Sequence, residues 1–210
     1  MHTDGPLLFQ EVPPEEIFLG TFTEKAALQL RQGLTAYLSE ATRLTGRAYD
    51  LSRMLVGTVH STCRCILADR RFSRGRMRPG NVGLLDELDQ YFVLLDRWND
   101  LLKAGGFERD GNATINQYLN NGRNSKSRHG AVAATMSLFN RFSEECLDAA
   151  EALRATRDPV LKKLLRMYGA YRALDLTDLS LLQQAALAHC RVSSDAGQVL
   201  RHVIVDEYQD

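Results

Sequence analysis

A chain of 210 residues, 44% hydrophobic and 25% charged, has the make-up of an ordinary soluble globular protein with enough core for one or two domains. Its 26 Lys+Arg against 26 Asp+Glu exclude a global field that steers nucleic acid, so any basic surface must be local. No apolar run reaches the ~20 residues of a membrane span, no secretory signal opens the chain, and Cys63, Cys65, Cys146 and Cys190 lack zinc or disulfide spacing, which reads as buried thiols in a reducing, cytoplasmic setting.

Met1 to Pro14, with Gly5, Pro6, Pro13 and Pro14, reads as a loose lead-in. Ile17-Phe18-Leu19-Gly20-Thr21 reads as a short buried strand. Thr23 then stands where an N-cap belongs, with Glu24 in the first helical turn. Ala27, Leu30, Leu34 and Leu38 recur at helical spacing and give that helix its inward face. Leu55-Val56-Gly57-Thr58 reads as a second strand, with Ser61 as cap of the helix after it. Strand–helix–strand–helix is the beginning of a parallel sheet.

The character then changes. Arg70, Arg71, Arg74, Arg76 and Arg78 crowd around Ser73, Gly75, Pro79 and Gly80, a basic linker. Beyond it three helical stripes are expected as core, with no cofactor implied: Leu85, Leu88, Phe92, Leu95 and Leu102; then Val132, Met136, Phe139, Cys146, Ala149 and Leu153; then Val160, Leu164, Met167 and Tyr171. Between the first two, the polar run Asn120 to Arg128 reads as an exposed loop. Thr177 or Asp175 is placed to cap a helix through Leu179, Leu182 and Ala186. No internal repeat is visible.

Val203-Ile204-Val205 leads straight into Asp206 and Glu207. That pattern reads as an internal parallel strand, buried on both faces and opening at its carboxyl end. Ligands of open α/β sheets bind beyond such ends. Adjacent carboxylates there suit a Mg²⁺–nucleotide site, one facing the metal and one orienting an attacking water. From these residues alone, a solvated turn after an apolar strand stays open as well.

Asp206-Glu207-Tyr208-Gln209-Asp210 resembles motif II of the UvrD/Rep-like superfamily-one DNA helicases. Thr21-Phe22-Thr23-Glu24-Lys25-Ala26-Ala27 resembles that family's motif Ia. Gly57-Thr58-Val59-His60-Ser61 resembles motif Ib, with Val59 where Phe is usual, and Leu174 to Leu179 is similar to the Asp-Phe-x-Asp-Leu segment ahead of motif II. The motifs stand in family order. The resemblance implies an α/β fold: a partial RecA-like P-loop NTPase parallel sheet with a large inserted all-α subdomain. It divides the chain into residues 1–72 (motor domain, motifs Ia and Ib), 73–173 (inserted helices) and 174–210 (return to the motor, ending in motif II).

By the same resemblance, Asp206 holds Mg²⁺ through water and Glu207 polarises the water that attacks the γ-phosphate of ATP. Gln209 assists, and Asp210 couples nucleotide state to DNA contacts. Thr21, Phe22, Thr58 and His60 line a single-stranded DNA track, Phe22 by stacking on a base and Thr58 and His60 by bonding phosphate or sugar. Without the motif, core packing is the alternative for Phe22. The Arg-rich linker and the Arg123–Arg128 loop read either as duplex-backbone contacts or as solvated surface.

The chain contains no Gly-x-x-x-x-Gly-Lys-Ser/Thr; Gly122-Arg123-Asn124-Ser125-Lys126-Ser127 lacks the second glycine and follows a helix. The expectation is therefore a piece of an ATP-dependent 3′–5′ DNA helicase of repair or recombination, from a truncated or split gene and inactive alone. Mg²⁺ and ATP belong to the intact relative and bind this chain weakly. Single-stranded and duplex DNA, and the remainder of the helicase, are the expected partners, with no membrane. The alternatives are a non-catalytic module that binds single-stranded DNA or docks on a helicase, and a remnant without a role.

Overall fold

The computed structural model describes residues 12–48, 50–68, 72, 84–107, 110–120, 125–193 and 195–206. The chain divides into two compact units, Met1–Pro79 with Ala185–Asp210, and Gly80–Gln184. These divisions fall later in the chain than the 72/73 and 173/174 boundaries that the resemblance implies.

The first unit is built on a parallel sheet of three strands in the order β2-β1-β5. β1 (Ile17–Thr21) is buried along its whole length. β2 (Leu55–Thr58) pairs with it from Phe18↔Leu55 to Thr21↔Thr58. On the other edge β5 (His202–Val205) pairs from Ile17↔His202 to Gly20↔Val205.

α1 (Glu24–Thr45) follows β1. Thr23 caps it as its sequence position predicts, the hydroxyl accepting from the Ala26 amide at 3.1 Å. Gly46 ends it at φ 71°, a left-handed position that glycine adopts without a Cβ clash. Leu34 and Leu38 pack on Ile17, Leu19 and Met54, with Leu30 and Ile204 partly buried beside them. The 3.6-residue stripe of α1 thus covers one face of the sheet. Phe18 is also buried, and its ring lies back along the strand; a Cβ at Gly20 would stand 2.6 Å from Phe18 Cζ. α2 (Val59–Ala68) follows β2 directly.

β5 departs from expectation. Among the described residues it pairs only with β1, and Val203 is 60% exposed. Alternation explains the exposure: Ile204 turns toward the core on the α1 side of the sheet, while Val203 turns to the opposite face and stays open at this edge strand. The strand is parallel but is not buried on both faces.

The second unit holds α3 (Glu87–Asp96), α4 (Trp98–Gly105), α5 (Gly111–Leu119), α6 (Arg128–Glu144), α7 (Ala149–Ala155) and α8 (Pro159–Arg172). A two-residue strand β3 (Leu84–Leu85) pairs in parallel with β4 (Thr177–Asp178). The boundary between the units falls inside α9 (Leu179–Val192), and α10 (Asp195–Val199) precedes β5. The core is Leu94, Trp98, Leu101, Ile115, Val132, Phe139, Leu164, Met167, Tyr168 and Tyr171 with their neighbours.

The third expected stripe keeps its register, with Leu164, Met167 and Tyr171 all buried on α8, and so does the α6 part of the second, where Val132 and Phe139 are buried and Met136 packs against the same core. In the first, Leu88 and Phe92 are 62% and 55% exposed, and the buried residues of α3 are Gln90 and Leu94. The helix breaks at Arg97, between α3 and α4, so a stripe drawn through both has no common axis. The second expected stripe also crosses a break. Cys146 stands outside α6 at φ 51°, and Leu153 belongs to α7.

Gln90 is buried because it has partners. Its amide nitrogen donates to Asp178 at 3.0 Å, Asn140 at 2.7 Å and the Tyr171 hydroxyl at 3.2 Å, and Tyr171 donates to Asp178 at 2.6 Å. Burial, with Asp178 beside it, holds the Tyr171 phenol well above its ordinary pKa. Asp178, rather than Thr177 or Asp175, caps α9, accepting from the Leu181 amide at 2.7 Å; Asp175 instead takes a positive φ of 55°.

Candidate functional site

Because the three strands are parallel and in close register, their carboxyl ends open on one edge. Thr21 stands opposite Thr58, and Val205 stands opposite Gly20. Asp206 comes one residue later, its amide donating to the Gly20 carbonyl at 2.9 Å. Thr21, Thr58 and Asp206 therefore leave the sheet together. Each of the first two strands turns at once into a helix, so α1 and α2 both present their amide-rich, partially positive N-termini to this edge.

The side chains differ in what they offer. Thr21 and Thr58 are each 5% exposed, whereas Phe22 is 52% exposed. Phe22 does not pack beneath the following helix, so core packing does not account for it. Asp206 is exposed, and His60, in the first turn of α2, is half-buried. Glu207, Gln209 and Asp210 lie outside the described residues, as do residues 121–124 of the polar loop and Arg70, Arg71, Arg74, Arg76 and Arg78 of the basic linker.

Thr58 is the most heavily bonded residue of the edge. Its hydroxyl donates to Glu24 Oε1 at 3.2 Å and accepts from the Ser61 amide at 3.2 Å. Its carbonyl accepts from Ser61 Oγ at 2.8 Å and from Thr62 Oγ1 at 3.2 Å. Thr58 therefore caps α2, and Ser61, expected in that role, sits inside the helix and folds back. Gly57 makes room for it: a Cβ there would lie 2.4 Å from Ser61 Oγ. Beside this cluster a groove of about 440 Å³ runs between α1, β2 and α2, lined by Glu24, Arg31, Ser61 and Cys65 among others. Arg31 closes onto the strand, donating to the Val56 carbonyl at 2.7 Å.

Glu24 is the residue that sequence reasoning undervalued. It read as an ordinary acid in a first turn; the structure places its carboxylate on the hydroxyl of Thr58. The signal available was its position inside the same short motif as Thr21 and Phe22. The cysteines are less buried than their type implies. Cys63, Cys65 and Cys146 are half-buried and Cys190 is exposed; burial still pushes the Cys63 and Cys190 thiols up.

Among the described residues no three His, Cys, Asp or Glu side chains converge as a metal cage. A magnesium ion takes one or two protein carboxylates and draws its other ligands from water and phosphate; Asp206, an exposed carboxylate just beyond β5, is a residue of that type. No helix among the described residues is long and apolar enough to cross a membrane.

Residues 6–210 match the family described as UvrD/REP helicase N-terminal domain. The chain is 26% identical over 212 residues to the ATP-dependent DNA helicase SRS2 of Saccharomyces cerevisiae, covering 97% of this chain and 17% of that protein. It is 28% identical over 207 residues to the ATP-dependent DNA helicase UvrD1 of Mycobacterium tuberculosis and of Mycobacterium bovis, covering 93% of this chain and 23% of the relative. The chain thus spans about a fifth of the length of these relatives.

Proposed function

The chain belongs to the UvrD/REP helicase N-terminal domain family, and we propose that it supplies the single-stranded DNA track and the magnesium-facing carboxylate of a helicase motor. In this reading the three-stranded unit is part of a RecA-like motor domain and the helical unit is its inserted subdomain. The observation that carries it is the shared carboxyl edge, where Thr21 and Thr58 are in register, Phe22 is exposed and Asp206 follows the paired strand. Phe22 stacks on a base, a contact that every base can make. Thr21, Thr58 and His60 bear on phosphate and sugar, aided by the two helix N-termini.

Asp206 would hold magnesium through water, Glu207 would polarise the water that attacks the γ-phosphate, and Gln209 would assist. Asp210 passes the nucleotide state to the DNA contacts. Magnesium supplies charge neutralisation on the transferring phosphoryl group. The intact motor moves 3′ to 5′ on single-stranded DNA and opens duplexes in repair or recombination. This chain carries no Gly-x-x-x-x-Gly-Lys-Ser/Thr, so by itself it grips Mg–ATP weakly and turns it over little.

The test is a titration of the chain with labelled oligothymidylate at several salt concentrations. The reading requires binding that weakens as salt rises, in proportion to the phosphates engaged. Equal, weak association with a neutral polymer of the same length would overturn it.

A further inference from the structure

We propose that Glu24 is a positioning residue that limits how tightly the edge grips a phosphate, by holding the hydroxyl proton of Thr58. The inference rests on reading the edge as a single-stranded DNA track. A threonine hydroxyl has one proton to donate and two lone pairs. A carboxylate only accepts, so the Thr58 proton is committed to Glu24 Oε1, 3.2 Å away. One lone pair receives the Ser61 amide at 3.2 Å, and the Thr58 carbonyl already takes Ser61 Oγ and Thr62 Oγ1. While Glu24 holds that proton, Thr58 has none for a phosphate oxygen.

The carboxylate also opposes phosphate by charge. Glu24 is exposed in the first turn of α1, at the edge where a DNA strand would lie. The helix N-terminus that would welcome a phosphate is thus already occupied in part by an acid. Binding requires Glu24 to swing away and release Thr58. A motor that must take and release each nucleotide needs such a contact to be weak, and Glu24 keeps it so.

The experiment measures affinity for labelled oligothymidylate with the full chain, Glu24→Ala, Thr58→Val and the double variant, each checked for its fold by circular dichroism. Glu24→Ala is expected to bind about fivefold tighter, the range of one ordinary hydrogen bond. In the Thr58→Val background only the smaller, salt-sensitive part of that gain, which comes from charge, is expected to remain. If the Thr58→Val chains do not fold, salt decides: a gain made through the hydroxyl persists from about 0.05 M to about 0.3 M salt, whereas simple charge repulsion is screened away.

Equal affinity of the parent chain and Glu24→Ala overturns the proposal. So does a full gain in the Thr58→Val background, or a gain that salt abolishes. Absence of DNA binding by both the parent chain and Glu24→Ala overturns the track reading beneath it.

Discussion

Replacing Phe22 by alanine separates a base-stacking residue from a core residue. The ring is 52% exposed, so folding buries only about half of it. Full burial of such a side chain is worth about 1.5–3 kcal/mol, and the truncation should therefore cost the fold on the order of 1 kcal/mol. Stacking of a base on an aromatic ring is worth about 1–3 kcal/mol by alanine substitution. A loss of about 1.4 kcal/mol, near the lower end, is tenfold in the dissociation constant. The two effects can be read apart, since a thermal melt reports the first and fluorescence anisotropy with oligothymidylate reports the second. The salt slope should stay unchanged, because phenylalanine neutralises no phosphate. Equal affinity of the two proteins would refute the assignment of Phe22 to the track, and a collapse of the fold would refute the reading of its exposure.

Three further outcomes are expected. The chain should hydrolyse ATP no faster than Asp206→Ala, with or without single-stranded DNA; a DNA-stimulated rate that Asp206→Ala abolishes would show the nucleotide grip to be misjudged. Thr135 has a fully buried hydroxyl with no hydrogen-bond partner among the described residues, so Thr135→Val, which keeps its shape, should stabilise the chain by about 1 kcal/mol in urea unfolding. Asp158 caps α8 and receives the Tyr118 hydroxyl at 2.7 Å, and that bond foremost lowers its pKa below the ordinary 3.8. Its contribution is thus fully present above the unfolded pKa and lost as pH falls through the folded one. Melting temperatures of the parent chain and Asp158→Asn should therefore differ most near neutral pH and converge in strong acid; a constant gap would refute the linkage.

The parts of the fold legible in sequence are those set by local rules. β1, β2, the Thr23 cap and the inward face of α1 follow from short apolar runs, one capping hydroxyl and a 3.6-residue period. The stripe of α8 was equally plain, since Asp158 and Pro159 mark its start and no break interrupts it. The misses have physical causes. A stripe of apolar letters cannot register a buried Gln90 whose amide is satisfied by Asp178, Asn140 and Tyr171, partners far along the chain. Nor does it show the turn at Arg97 that ends α3 and interrupts any stripe drawn on into α4. At the site, the place of Asp206 beyond a strand's carboxyl end was anticipated from its apolar run, and Thr21 and Thr58 were marked by the motifs they belong to. The hold of Glu24 on Thr58 was not anticipated, because it joins residues of two elements that only the sheet's register brings together.

The pairing of Ile17 with His202 also bears on how such a chain comes off the ribosome. β1 is made early, and β2 can join it after one helix. The whole helical unit is then synthesised before β5 appears, leaving one flank of β1 with unpaired amides and carbonyls throughout that interval. Contacts of such long sequence separation form slowly. The nascent pair of β1 and β2, still without β5, is therefore the species most prone to illicit strand exchange, and the one a holding chaperone would have most reason to shield.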